Sequence, residues 1–142
     1  MMRAEQFMKI TNDSLIAAGR LFEKENGNEL DQQSIRLIEK EGLTNSEPSE
    51  LANSIINYLK SASNDDPLLG AGIFALSKRY DPNLKGLFVE MLRRTLDTNS
   101  HALFQALCAL SDFDESVLPG GGCFNEYERN KKLAEKYLKS VA

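Results

Sequence analysis

The spacing of apolar residues along this chain predicts helices from end to end, but helices of two kinds. In residues 49–62, Leu51, Ala52, Ile55, Ile56, Leu59 and Ala62 fall on one stripe, opposite Glu50, Asn53, Asn57 and Lys60. In residues 83–97, Leu84, Leu87, Phe88, Met91, Leu92 and Leu96 do the same, opposite Glu90, Arg93, Arg94 and Asp97. These are helices with one wet face. Residues 68–76 and 102–110 are apolar nearly all round, which predicts helices contacted on several sides. No stretch shows the sustained alternation of a half-buried strand.

Helix punctuation supports this reading. Asp66-Pro67 and Asp81-Pro82 each set a capping residue before a proline, and Glu47-Pro48-Ser49 is similar. Gly27 and Gly42 follow the charged, periodic segments "RLFEKEN" and "RLIEKE" and predict helix C-termini. The predicted helices cover 3–10, 13–26, 31–41, 49–62, 67–80, 83–97, 100–112 and 125–140. Short joins predict antiparallel neighbours. The segment "DESVLPGGGCF" is a longer break before the last helix.

The chain also repeats. "GIFALSKRYD" at 72–81 matches "ALCALSDFDE" at 106–115 on a shift of 34, closing to 33 at Tyr80-Asp81 and Phe113-Asp114. A shift of 33 places Leu51 on Leu84, Ile55 on Phe88, Leu59 on Leu92 and Lys60 on Arg93. One heavily buried and one amphipathic helix therefore recur together, the pattern of a helical-hairpin solenoid.

On these residues, with the "DDP" and "YDP" helix starts, the region 31–140 resembles HEAT and armadillo-type repeats. The resemblance implies one all-α domain over 1–142, a compact right-handed α-α solenoid of about three hairpins. Residues 1–30 form N-terminal cap helices, 31–112 the repeat core, and 113–142 a loop and C-terminal capping helix. It also implies that the wet faces line a groove, making Asn53, Asn57, Lys60, Glu90, Arg93 and Arg94 candidate partner-binding residues. A second candidate surface is the acidic loop at Asp112, Asp114 and Glu115.

Composition narrows the function. The chain has 142 residues, 42% hydrophobic and 27% charged, suited to one domain with a real core. A net charge of −4 disfavours general attraction to nucleic acid and suits a basic partner. No apolar run reaches membrane-spanning length, and the charged start is unlike a secretory signal, so the expected location is cytoplasmic.

Motifs of enzymes are thin. "GAGIFA" at 70–75 fits a dinucleotide fingerprint, but it sits in a predicted helix where that motif needs a strand-to-helix turn. His101 is the single histidine, too little for a triad or a zinc site, and is read as a surface or capping residue. Cys108 is read as a core residue, and Cys123 as part of the "PGGGCF" connector. Carboxylate pairs lack the aromatic sugar-binding lining of a glycosidase, since there is no tryptophan.

The expected function is therefore non-enzymatic binding of another macromolecule, with no cofactor or metal. A small acidic helical chain looks like the immunity proteins with which bacteria neutralise toxins, many of them basic. The alternatives are a general protein-interaction adaptor or assembly factor, and a DNA-binding enzyme similar to HEAT-like glycosylases, for which Lys60, Arg93 and Arg94 supply the basic groove.

Overall fold

The computed structural model describes residues 8–119 and 126–141. Among the described residues there are seven α-helices and no strand: α1 (Asn12–Glu25), α2 (Gln32–Lys40), α3 (Pro48–Ser61), α4 (Leu69–Ser77), α5 (Lys85–Thr95), α6 (Ser100–Ser111) and α7 (Tyr127–Ser140). Of the helix expected at 3–10, only residues 8–10 are described, and they are not helical.

Local chemistry sets the ends of these helices. Thr11 caps α1 reciprocally with Ser14: each hydroxyl accepts from the other residue's backbone N–H, at 3.0 and 2.9 Å. Gly27 and Gly42 take φ of 92° and 73° just past α1 and α2, the left-handed turn that suits glycine. Beyond them, Asn28 N–H donates to the Glu23 carbonyl and Leu43 N–H to that of Ile38, satisfying carbonyls that a helix end leaves open. Leu43 and Ile38 are both buried, so the second stop is also an apolar contact.

Helix α4 is shorter than the expected 67–80. At its start, the Asp66 carboxylate accepts from Leu68 N–H at 2.8 Å, holding a tight turn ahead of the first regular residue. At its end, Tyr80 adopts φ 51°, a left-handed conformation that costs a bulky residue about 1–2 kcal/mol.

The joints between helices repeat as the sequence does. Asp81 accepts from Asn83 N–H at 2.9 Å and opens a 3-10 turn, Pro82–Leu84; Asp114 accepts from Ser116 N–H at 3.0 Å and opens another, Glu115–Val117. The two joints lie 33 residues apart. After the first, α5 begins at once; after the second, α7 begins only at Tyr127.

One core runs through the molecule. Helices α1, α4 and α6 form an inner row, with α4 packed against α1 on one side and α6 on the other. Helix α2 lies on α1, α3 on α1 and α4, α5 on α6, and α7 on α6 and α5. The row is largely dry: in α6, Ala102, Leu103, Ala106, Leu107, Ala109 and Leu110 are at most 1% exposed. Helix α1 belongs to this row, with Leu15, Ala17, Ala18 and Phe22 fully buried.

Small residues let the row close up. An added Cβ on Gly70 would lie 2.4 Å from His101 Nδ1, so the imidazole of α6 rests directly on the α4 backbone. The two amphipathic helices behave differently, for α3 and α5 are not packed against one another.

Candidate functional site

The space between α3 and α5 is a cleft of about 720 Å³. From α3 come Ile56 and Lys60; from α5 and its leading turn come Asn83, Leu84, Gly86, Leu87, Glu90 and Arg94. The expected stripes explain its apolar part. Leu51, Ile55 and Leu59 of α3, and Phe88, Met91 and Leu92 of α5, are buried, whereas Ile56 and Leu87 at the stripe edges stay half-exposed. They have no opposite helix to cover them. Gly86 is exposed, and a Cβ there would meet nothing within 4 Å.

Arg94 closes one end of the cleft. Its guanidinium donates from Nη1 to the Leu59 carbonyl at 2.6 Å, from Nη2 to the Ala62 carbonyl at 2.6 Å, and from Nε to Asn64 Oδ1 at 2.7 Å. These are carbonyls at the C-terminal end of α3, where a cation also meets the negative end of the helix dipole. Arg94 therefore ties α5 to α3. Around this clamp the turn after α3 is held by Asn99, whose Nδ2 donates to the Asp66 carbonyl at 3.0 Å while its Oδ1 caps α6 at Ala102 N–H. Tyr58 Oη donates to Asp66 Oδ1 at 2.8 Å, and burial together with that carboxylate raises the phenol's pKa well above its ordinary range.

Lys60 on the α3 wall and Glu90 on the α5 wall carry opposite charges, while Arg94, also from α5, sits at the end of the cleft with its donors on neutral oxygens at the end of α3 and just beyond it. Lys60 on α3 and Glu90 on α5 are exposed, and among the described residues neither forms an ion pair with the other or with a third group.

Of the six residues expected in a groove, Lys60, Glu90 and Arg94 line this cleft. Asn53, Asn57 and Arg93 are exposed on the same two helices but do not line it. Sequence reasoning missed the apolar floor, although the positions of Ile56 and Leu87 at the margins of their stripes carried the signal.

The acidic loop divides. The Asp114 carboxylate is occupied by Ser116, accepting from its N–H and from its Oγ at 2.7 Å, and these bonds hold its pKa below the usual value. Partial burial instead raises the pKa of Asp112, against the pull of Lys78. The side chain of Glu115 lies outside the described residues, as does all of the connector at 120–125 with Cys123.

The remaining motifs are absorbed by packing. Gly70 and Gly72 lie inside α4, one under His101 and the other against Leu59 and Tyr58, and turns at 64–68 precede them where a fingerprint needs a strand. His101 is half-buried, which lowers its pKa. Burial pushes the Cys108 thiol up, away from reactivity. Among the described residues no three His, Cys, Asp or Glu are grouped to hold a metal, and no helix is long and apolar enough to cross a membrane. Comparison with known proteins finds no family model, curated protein or solved structure that matches the chain.

Proposed function

We propose that this chain is a non-enzymatic protein-binding module, a right-handed HEAT-like solenoid of about three hairpins that engages its partner at the face bearing the α3/α5 cleft. The observation that carries this reading is the cleft itself: an apolar floor with unpaired charges on both walls, opened in a molecule whose inner row is otherwise closely packed. Half-exposed Ile56 and Leu87 leave apolar surface for a partner to bury, and Lys60 and Glu90 leave charge for it to pair.

Within that class we assign the protein to toxin neutralisation in the cytoplasm. A net charge of −4 steers a basic toxin domain toward an acidic inhibitor and speeds association at low salt. Binding then occludes the toxin's own active site.

The test is to purify the tagged protein from its native cell and to assay what accompanies it. Neutralisation predicts a basic partner whose activity is abolished near a 1:1 ratio, with association slowing as salt rises. A saturated partner that keeps full activity makes the protein an adaptor instead. The groove expected of a DNA glycosylase draws less support, because the donors of Arg94 serve α3 and Glu90 shares the cleft. Tight, steeply salt-dependent DNA binding would restore that reading.

A further inference from the structure

We infer that the α3/α5 cleft takes an amphipathic helix of the partner protein, one with an apolar stripe between an acidic flank and a basic flank. The inference rests on the protein-binding reading above and specifies what enters the site. Its observations are the shape of the gap and the charge on each wall.

Helices α3 and α5 are tied at their C-terminal ends by Arg94, and neither is a main packing neighbour of the other. Each packs its buried stripe elsewhere, α3 on α1 and α4, α5 on α6, so the gap is a vacancy in the outer layer. A helix about 10 Å across, half sunk into the 720 Å³ of the cleft, fills it over roughly three turns. Such a helix would lay residues at i, i+3, i+4 and i+7 on Ile56, Leu84 and Leu87, the usual mode of a helix in a groove. Gly86 lets its backbone approach α5 without meeting a side chain.

The charges decide which helix. Lys60 on one wall demands an acid and Glu90 on the other demands a base. A helix with two acidic or two basic flanks places like charges side by side at one wall. A mixed pair of flanks satisfies both walls, and it does so whichever way the helix runs, because turning it end for end only exchanges which flank must carry which sign.

Three synthetic helical peptides test this, sharing one leucine stripe and differing in their flanks: glutamate and lysine, all glutamate, or all lysine. Binding to the full chain is followed by titration calorimetry and by amide shifts of α3 and α5. The expected result is that the peptide with one acidic and one basic flank, in the register that suits the walls, binds about fivefold more tightly than either uniform peptide. Lys60→Glu, which makes both walls acidic, shifts the preference to all lysine; Glu90→Lys shifts it to all glutamate. Gly86→Trp fills the cleft and abolishes binding, while circular dichroism and the urea midpoint show that the variant is folded.

The inference is overturned if the three peptides bind equally, if none binds, or if Gly86→Trp leaves binding intact. Dimerisation in sedimentation that Gly86→Trp abolishes would also overturn it, by giving the cleft to a second copy. These failures are separable from failure of the protein-binding reading, since a native partner bound by the Gly86→Trp variant as well as by wild type locates the interface elsewhere without ending protein binding.

Discussion

Two pairs of helices share an echo in sequence and meet in opposite ways. Helices α4 and α6 lie side by side in the inner row, close enough that the His101 ring sits on Gly70. Their amphipathic neighbours α3 and α5 stand apart around a cleft. Small residues accompany the close packing of the inner row: Gly70 lies under the His101 ring of α6, Ala75 against Gly19 of α1, and Gly72 against Leu59 and Tyr58 of α3. The inner row is rich in Gly and Ala, including Gly70, Gly72, Ala75, Ala102, Ala106 and Ala109, whereas the outer pair face one another with Ile56, Lys60, Leu87 and Glu90. The echo in sequence thus marks which helices sit in the inner row, although Phe74 of α4 stays exposed there. It does not by itself close the layer outside them.

The largest effect should fall on the closed pair. Leu107→Ala in fully buried α6 is expected to cost about 3 kcal/mol, against about 1 kcal/mol for Leu87→Ala at the cleft, where water already reaches the side chain. Urea unfolding of the two variants makes the measurement, and equal losses would mean that the cleft is not open in solution.

Next comes the clamp. Arg94→Ala leaves the Leu59 and Ala62 carbonyls without their cation and should cost about 2 kcal/mol, whereas Arg93→Ala on the exposed face should stay within about 0.5 kcal/mol. Comparable losses at both positions would remove Arg94 from its role as a tie.

The contact at Gly70 supplies a smaller and sharper test. Gly70→Ala drives a methyl into the His101 ring and should lower stability by about 1–2 kcal/mol, but in a His101→Ala background it should raise stability by up to about 1 kcal/mol through helix propensity. A change of the same sign in both backgrounds would break the argument from close packing.

His101 also predicts a pH dependence confined to the closed pair. Burial disfavours the imidazolium, so its pKa when folded lies below the ordinary 6.5 and the unfolded chain takes up the proton first. The His101 contribution to stability is complete above pH 6.5 and is lost as the pH falls below that value toward the folded one. The urea midpoint should show this decline, and His101→Gln should flatten it. Gly86→Ala should instead bring a gain, of no more than about 1 kcal/mol, because the methyl enters empty space.

Much of this fold can be read along the chain. Gly27 and Gly42 stop helices in the conformation that glycine suits, Asn99 caps α6, and the all-round apolar segments became the dry row. What could not be read depends on distance in space. Arg94 looks like one more cation on a wet face until its acceptors, 30 to 35 residues earlier, are seen. Periodicity tells which side of α3 and of α5 is buried, and says nothing about the gap between them. Tyr80 escaped as well, because a left-handed φ is uncommon for a bulky residue and nothing in a tyrosine announces it.

The paired joints at Asp81 and Asp114 have a consequence for how such a chain can be lengthened. Each is closed locally, a carboxylate accepting from the amide two residues ahead, and each sets one apolar residue, Leu84 or Val117, into the core. A copy of residues 81–113 spliced in front of Asp114 would keep the native Phe113-Asp114 seam, whereas its new seam sets Asp81 after Phe113 in place of Tyr80, whose φ of 51° Phe113 does not share. If that new seam closes, the product would gain one hairpin and a second gap in its outer layer, doubling the proposed binding site.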